Sequence, residues 1–375
     1  MKKTLIVLLI LAVAGGVFAQ EVTWSGEVLT GAMVKMGDGI IAPNGDETAT
    51  IQADEDDVPT GVKARLNAAV TDDNWGLELG AAADIFTSGA DLSKGVYFYN
   101  AHGWMSFVDM IKIRAGLIDP GVWTTKGPED FNFSSGLGIR VEVTPIEGLN
   151  VGLLLNYGRD KGNSAWAGPM KVGDFLQETV FGASYSNPDM MNLYVSVAFA
   201  LDSKHIDDEA KSQAVIFGFG INPIEALSIK VEAKVEELGQ YSDFGWMWFI
   251  EDVSFRVMDP LLVGIRFDEK LASEDSSLAN LLAGNIDFYK TALGFKPYVE
   301  FTVEAVEGLS VGAEIPVWMK DNGDGLTLAS FGATAWAKYA MGGSWVKASY
   351  GFESTTKDFG DALVHTIRLI FGYSF

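Results

Sequence analysis

Charged side chains recur at alternate positions in several short segments of the chain. Lys63 and Arg65 alternate with apolar residues between positions 62 and 70, and Lys112 and Arg114 do the same between 111 and 118. Alternate residues of a β-strand point to one face, so each segment carries its charges opposite an apolar face. Charges fixed along one face can attract and order ions or polar solutes, which is the chemistry of a permeation path.

The same alternation places other charged residues on these polar faces. They are Arg140, Arg266, Glu78 and Glu142. A face that carries both signs of charge is expected to contact water.

A reaction centre has little support in the sequence. The three histidines lie on different segments, and only His205 has acidic residues close by in the chain, Asp207 and Asp208. Adjacent charges in a polar loop usually only contact solvent. No phosphate-binding glycine motif occurs, and the acidic segment 320–325 lacks the ligand spacing of a calcium loop. We therefore predict no enzymatic activity, no cofactor and no metal site.

The chain is strongly acidic. Of its 375 residues, 50 are Asp or Glu and 27 are Lys or Arg, for a formal net charge of -23, and none is Cys. A nucleic-acid partner is not expected, because binding phosphate requires a basic surface. The lack of thiols excludes disulfides and Cys-ligated metals.

The elements that must position the charges are predicted to be β-strands. Period-two segments occupy much of the chain, 111–118 and 149–157 among them, and in 227–236 the apolar and charged residues separate completely between the two faces. Short turns lie near eight anchor positions, namely Asp73, Asp109, Glu147, Asp189, Glu225, Asp259, Glu307 and Met341. Longer, mostly acidic loops alternate with these turns, and one of them is predicted at 268–284. Eight turns and nine loops join eighteen strands; sixteen is the alternative, because segments 244–258 and 273–289 alternate weakly.

The first residues resemble an export signal. Lys2 and Lys3 precede an apolar stretch, 5–13, and 17–19 end in the small-x-small pattern that signal peptidase cleaves. We predict a signal peptide at 1–19 and one barrel domain at 20–375. No later segment is apolar for long enough to form a transmembrane helix, so an envelope role of this exported chain must come from membrane-crossing strands or from a soluble fold.

The last strand carries the most specific motif. Its alternate residues are Ile367, Leu369, Phe371, Tyr373 and Phe375. A last strand of this pattern, ending in Phe, resembles the signal that hands outer-membrane barrels to the barrel-assembly machinery. With the export signal and the hairpins, the chain resembles the porin-type outer-membrane β-barrel family of diderm bacteria. The turn at 145–149 is similar, more weakly, to turns of spirochaete-type porins.

This resemblance implies an all-β fold: a transmembrane antiparallel up-and-down barrel in the cell outer membrane, with short periplasmic turns and longer extracellular loops. It implies a water-filled channel for passive diffusion of ions and small polar solutes. The expected partners are outer-membrane lipid, the barrel-assembly machinery and further copies of the chain in a homotrimer. A gated or substrate-specific transporter and a structural or adhesion barrel are the alternatives.

The resemblance also gives the third loop, 119–135, a role, because in porins this loop folds into the lumen and narrows it. We expect its acidic residues to face the basic strands across a constriction and to set a transverse electric field there. The acidic residues are Asp119, Glu129 and Asp130, and the basic residues are Lys63, Arg65, Lys112, Arg114 and Arg140. The alternative is that these charges contact solvent in the lumen away from any narrowing.

Overall fold

The computed structural model of the chain describes twelve stretches, and the predicted export signal lies outside them. They are residues 22–37, 40–43, 62–85, 96–118, 123–133, 136–157, 179–201, 213–238, 246–272, 291–321, 325–354 and 363–375.

Twenty strand segments account for most of these residues. They are β1 (Val22–Gly37), β2 (Ile40–Pro43), β3 (Val62–Thr71), β4 (Trp75–Ile85), β5 (Val96–Phe107), β6 (Ile111–Ile118), β7 (Gly136–Ile146), β8 (Leu149–Tyr157), β9 (Thr179–Asn187), β10 (Leu193–Ala200), β11 (Gln213–Ile224), β12 (Leu227–Leu238), β13 (Trp246–Met258), β14 (Leu261–Ala272), β15 (Thr291–Thr302), β16 (Leu309–Glu314), β17 (Val317–Asp321), β18 (Leu326–Met341), β19 (Ser344–Ser354) and β20 (Leu363–Ser374).

The strands close into one antiparallel barrel. Each wall strand pairs with its sequence neighbour, and β1 pairs with both β3 and β20, which closes the ring. Of the twenty segments, β2 only extends the loop end of β1, and β16 and β17 are two halves of one strand between β15 and β18. The wall therefore has eighteen strands, which confirms the larger of the two predicted numbers.

The wall separates apolar and charged residues as the alternation predicts. Leu66, Leu77 and Met105 point outward and are exposed, whereas Arg140 and Glu142 point inward and are buried within the lumen. An apolar outer band around a polar interior is the arrangement of a transmembrane barrel. Within the described residues, no helix is both long and apolar enough to span a membrane.

Eight tight connections lie at one end of the barrel, at the predicted turns. Gly148 and Gly308 hold equivalent places in two of them and have φ angles of 80° and 81°. This left-handed backbone region is far more accessible to glycine than to other residues. The connections at the opposite end fall largely outside the described residues.

Two local features differ from the sequence-based boundaries. Asp268 begins a predicted loop but lies inside β14, because a lumen-facing strand position accepts a charge. The second feature is a break between β16 and β17 at Ile315 and Pro316. There the Ile315 N–H donates to the Pro297 carbonyl (3.0 Å) and the Gly332 N–H donates to the Pro316 carbonyl (2.9 Å). Because Pro has no N–H, the ladder is interrupted at this point.

Candidate functional site

The described part of the third loop, which we call the lumen segment (123–133), lies inside the barrel. It crosses the inner wall from β8 to β14. At its start the Trp123 indole N–H donates to the Asn150 side-chain oxygen on β8 (2.9 Å). Further along, the Phe131 ring meets the Trp248 ring of β13 edge to face, with centroids 5.1 Å apart. The segment thus covers seven of the eighteen strands.

An apolar underside fixes the segment to the wall. Its three aromatic side chains are almost fully buried with small and branched residues of the strands. The cluster comprises Ile118, Trp123, Phe131, Phe133, Leu154, Val180, Ala198, Ala200, Ala214, Ile216 and Ile250. Apolar burial of this kind stabilises the packed position of the segment.

Glycines in the wall allow the segment to approach closely. A Cβ atom on Gly218 would lie 2.6 Å from the Thr125 Cα atom and 2.5 Å from its carbonyl oxygen. On Gly182 it would overlap the Trp123 indole. The backbone of the segment therefore rests directly on the backbone of β11, which no larger residue would permit.

Hydroxyl and carboxylate groups fix the register of the segment. The Thr124 carbonyl accepts hydrogen bonds from Tyr194 and from Ser196 of β10, the latter at 2.8 Å. The Thr125 hydroxyl donates to Glu232 of β12 at 2.8 Å, and the Glu129 N–H donates to the same carboxylate at 3.2 Å. Glu232 is fully buried. Since a buried carboxylate requires donors, these bonds favour the docked segment.

An ion-pair cluster anchors the far end of the segment. Arg266 of β14 donates to Glu129 at 2.5 Å and to both oxygens of Asp268 at 2.8 and 2.9 Å. The Trp248 indole N–H also donates to Asp268, at 3.1 Å. Arg266 and Asp268 are both buried, so each needs the other to remain charged there.

The tip of the segment is held by its own hydrogen bonds. The Thr125 N–H donates to the Phe131 carbonyl (3.1 Å), and the Lys126 N–H donates to the Asp130 carboxylate (3.1 Å). The Lys126 ammonium lies 4.4 Å from the centroid of the Tyr194 ring. Lys126 and Asp130 are exposed, so a charge of each sign faces the open part of the lumen.

The strands that bear the predicted basic residues carry a second cluster, which we call the arginine cluster. It comprises Arg114, Arg140, Glu142, Glu78 and His102. Glu142 accepts from Arg140 (2.7 Å) and Arg114 (3.0 Å), and Arg114 also approaches Glu78 (3.4 Å) and His102 (2.9 Å). Shared hydrogen bonds of this kind hold the guanidinium groups in place.

Tryptophans of the inner wall lie on glycines of the neighbouring strand. Four such pairs are Trp104 with Gly76, Trp318 with Gly294, Trp336 with Gly312, and Trp345 with Gly372. A lysine covers each ring: the nitrogens of Lys112, Lys270, Lys347 and Lys338 lie 3.8, 5.1, 5.3 and 5.0 Å from the respective centroids. Cation–π contacts thus position basic groups around the lumen.

Of the remaining predicted residues, two lie on β3 and one lies outside the described residues. Arg65 lies on β3 with its guanidinium 3.9 Å from the Glu27 carboxylate. The Lys63 backbone pairs with Leu29 and Asp84, and its side chain is not described. Asp119 lies outside the described residues. Because Glu129 is paired with Arg266, Asp130 is the described acidic residue left for the transverse field, which stays a prediction.

The predicted assembly-signal residues lie on β20. Ile367, Leu369, Phe371 and Tyr373 are exposed on the outer face. Phe375 continues the pairing to β1, where its N–H and carbonyl bond to Gly26 at 3.0 Å each. The last strand is thereby joined to the first.

Sequence reasoning missed most residues that hold the lumen segment. Thr125, Glu232 and Tyr194 carry no motif, since they meet only when the loop crosses the barrel. The one available signal was the presence of three aromatic residues, Trp123, Phe131 and Phe133, within an acidic loop. Aromatic residues in a loop indicate that the loop packs against the rest of the protein.

Fold and site together define an eighteen-stranded transmembrane β-barrel with a loop packed inside it. Solved structures of the same fold include Acinetobacter baumannii OccAB4 (TM-score 0.58, 9% identity, 95% of this chain and 98% of that chain). They also include Pseudomonas aeruginosa OpdL (0.56, 12%, 95% and 99%) and OprD (0.53, 11%, 94% and 95%). No family model and no curated protein matches the sequence. At such identities the similarity establishes the fold alone.

Proposed function

We propose that the protein is an outer-membrane porin, a water-filled channel through which ions and small polar solutes diffuse. The observation that carries this proposal is the lumen segment. It covers seven wall strands and leaves the others, with the arginine cluster, to line the remaining passage. A barrel of this size is wide enough to hold an aqueous channel.

The charges on the inner wall support a hydrated lumen. Arg114 and Glu78 are partly exposed inside the barrel although they lie within reach of each other. The exposed Lys126 and Asp130 at the tip of the lumen segment add charge beside the passage. Polar solutes can exchange water for such groups at little cost, whereas an apolar substrate cannot.

Passive transport accounts for these features better than the alternatives. A structural or adhesion barrel does not require a loop anchored inside its lumen by an ion pair and a buried carboxylate. An enzyme requires convergent catalytic groups, and the two described histidines are separated by the wall: His102 contacts Arg114 inside, and His365 contacts Tyr350 outside. A substrate-specific channel differs from an open porin in its constriction, and measurement of the single-channel conductance can distinguish the two.

The proposed partners follow from this location. The apolar outer band suits outer-membrane lipid, and the exposed alternate residues of β20 suit recognition by the barrel-assembly machinery. Trimer formation is proposed from the porin resemblance alone. The proposed domain division is a signal peptide at 1–19 followed by one barrel at 20–375.

Single-channel recording tests the porin proposal. Residues 20–375 are refolded, checked for barrel formation by heat-modifiable migration, and inserted into a planar bilayer under a salt gradient. We expect stepwise ohmic conductance, and the reversal potential then gives the ion selectivity. A folded barrel that inserts but produces no steps would refute an open pore and favour a structural barrel.

A further inference from the structure

The outer wall carries an apolar groove with two carboxylates, over β13 to β17. Its volume is about 340 Å³, and its lining includes Phe249, Phe267, Phe295 and Leu293. The groove borders the break between β16 and β17, where Val317 and Met319 belong to its lining. The six apolar side chains all belong to the outward-facing set of their strands. Asp268, whose side chain faces the lumen, and Gly294 also line the groove.

The carboxylates are Glu251 of β13 and Glu269 of β14. Glu251 pairs in register with Phe267, and Glu269 with Phe249, so the two acids are diagonal neighbours on the outer face. Diagonal neighbours across antiparallel strands lie roughly 7–8 Å apart, which lets one cationic group contact both side chains. Within the described residues, neither carboxylate has a hydrogen-bond or ion-pair partner.

These acids have no basic neighbour on the lipid-facing wall. The outward-facing positions of the described strands contain no Lys or Arg. Unpaired carboxylates facing lipid are unfavourable, and two on adjacent strands repel each other. A positively charged group in the groove would remove both penalties.

Depth in the membrane indicates which kind of molecule can supply that group. Three residues separate Glu269 from the long-loop end of β14, and five separate Glu251 from the corresponding end of β13. For tilted strands this places the acids about 8 and 13 Å below the strand ends, in the half of the strands nearer the long loops. A lipid amine can approach that level from above while its chain fills the apolar groove.

A second copy of the chain suits the groove less well. It offers no outward-facing Lys or Arg in the described strands to meet the two acids. We therefore infer that the groove between β13 and β17 binds an aminolipid, an amphiphile with one alkyl chain in the groove and its ammonium group between Glu251 and Glu269.

Electron spin resonance of labelled amphiphiles tests this inference. The refolded barrel is placed in phosphatidylcholine vesicles with spin-labelled octadecylamine, octadecanol or octadecanoic acid, and the motionally restricted fraction is measured near neutral pH. We expect octadecylamine to associate roughly two- to fivefold more strongly than octadecanol, as for a partly solvated charge pair, and octadecanoic acid more weakly than either.

Variants separate the groove from the general negative charge of the protein. The double variant Glu251→Gln with Glu269→Gln should lower the association of octadecylamine to that of octadecanol. The matched control removes the same charge inside the barrel, Glu300→Gln with Glu314→Gln, and should retain the preference. Leu293→Trp fills the groove without changing its charge and should also lower octadecylamine binding. This variant tests the inference if the double variant folds poorly. Equal association of the amine and the alcohol, or a preference that survives in both groove variants, would overturn the inference.

Discussion

Gly218 is the position at which one methyl group can separate the lumen segment from the wall. Its added Cβ atom would lie 2.6 Å from the Thr125 Cα atom, whereas carbon atoms in contact are about 3.5–4.0 Å apart. Gly218→Ala therefore requires the segment to move by about 1 Å. Such a shift also lengthens the 2.8 Å hydrogen bond from Thr125 to Glu232.

The size of the effect follows from the cost of overpacking. Inserting a methyl group into a well-packed contact costs about 1–3 kcal/mol, which lowers the docked-to-undocked ratio of the segment by about 5- to 150-fold. Gly220→Ala is the matched control on the same strand and face, because its Cβ atom would lie 3.9 Å from Tyr194.

Two assays measure the undocked population. Single-channel recording of Gly218→Ala should give larger or more frequent high-conductance states than wild type. Trypsin cleavage of the folded barrel after the exposed Lys126 should accelerate by a similar factor, because cleavage tracks the open population when opening is fast. The reasoning is refuted if Gly218→Ala and Gly220→Ala behave alike in both assays while both remain folded.

Three further outcomes are expected. Arg266→Gln should lower the free energy of unfolding by about 3–5 kcal/mol in a urea titration, because it leaves the Asp268 and Glu129 carboxylates without a positively charged partner. The exposed Arg256→Gln should cost about 1 kcal/mol or less, and equal losses would contradict the anchor. Lys112→Ala with Arg114→Ala should shift the reversal potential toward cation selectivity, and an unchanged potential would exclude these residues from the path. Removing Phe375 should reduce the heat-modifiable barrel formed in cells, and a normal yield would count against the assembly signal.

Strand positions and faces could be predicted because they depend on local alternation. Strands β6 and β8 have the predicted bounds, and the inward placement of Arg140 and Glu142 follows from period two alone. Each strand's phase is fixed by its own residues, since one face meets an apolar environment and the other meets water. Asp268 was misassigned because an acidic Asp-Glu-Lys stretch indicates a loop in isolation.

Contacts inside the lumen could not be predicted, because they join residues far apart in the chain. Glu232 was correctly expected on the charged face of β12, but nothing local indicates that Thr125 donates to it across a separation of 107 residues. The same holds for Arg266 and Glu129, which are 137 residues apart. From the sequence alone, Glu129 was expected to face the basic residues of the early strands. The path of the loop instead brings it to Arg266 of β14.

The tryptophan–glycine pairs determine how much of the barrel's cross-section stays open. An indole that stands upright on a strand projects into the lumen, whereas Trp336 lying on Gly312 adds only the thickness of one aromatic ring to the wall. Trp104, Trp318 and Trp345 are accommodated in the same way. The glycines thus let a chain with ten tryptophans line its interior with indoles without closing it, and the bore of the channel is set partly by residues that have no side chain.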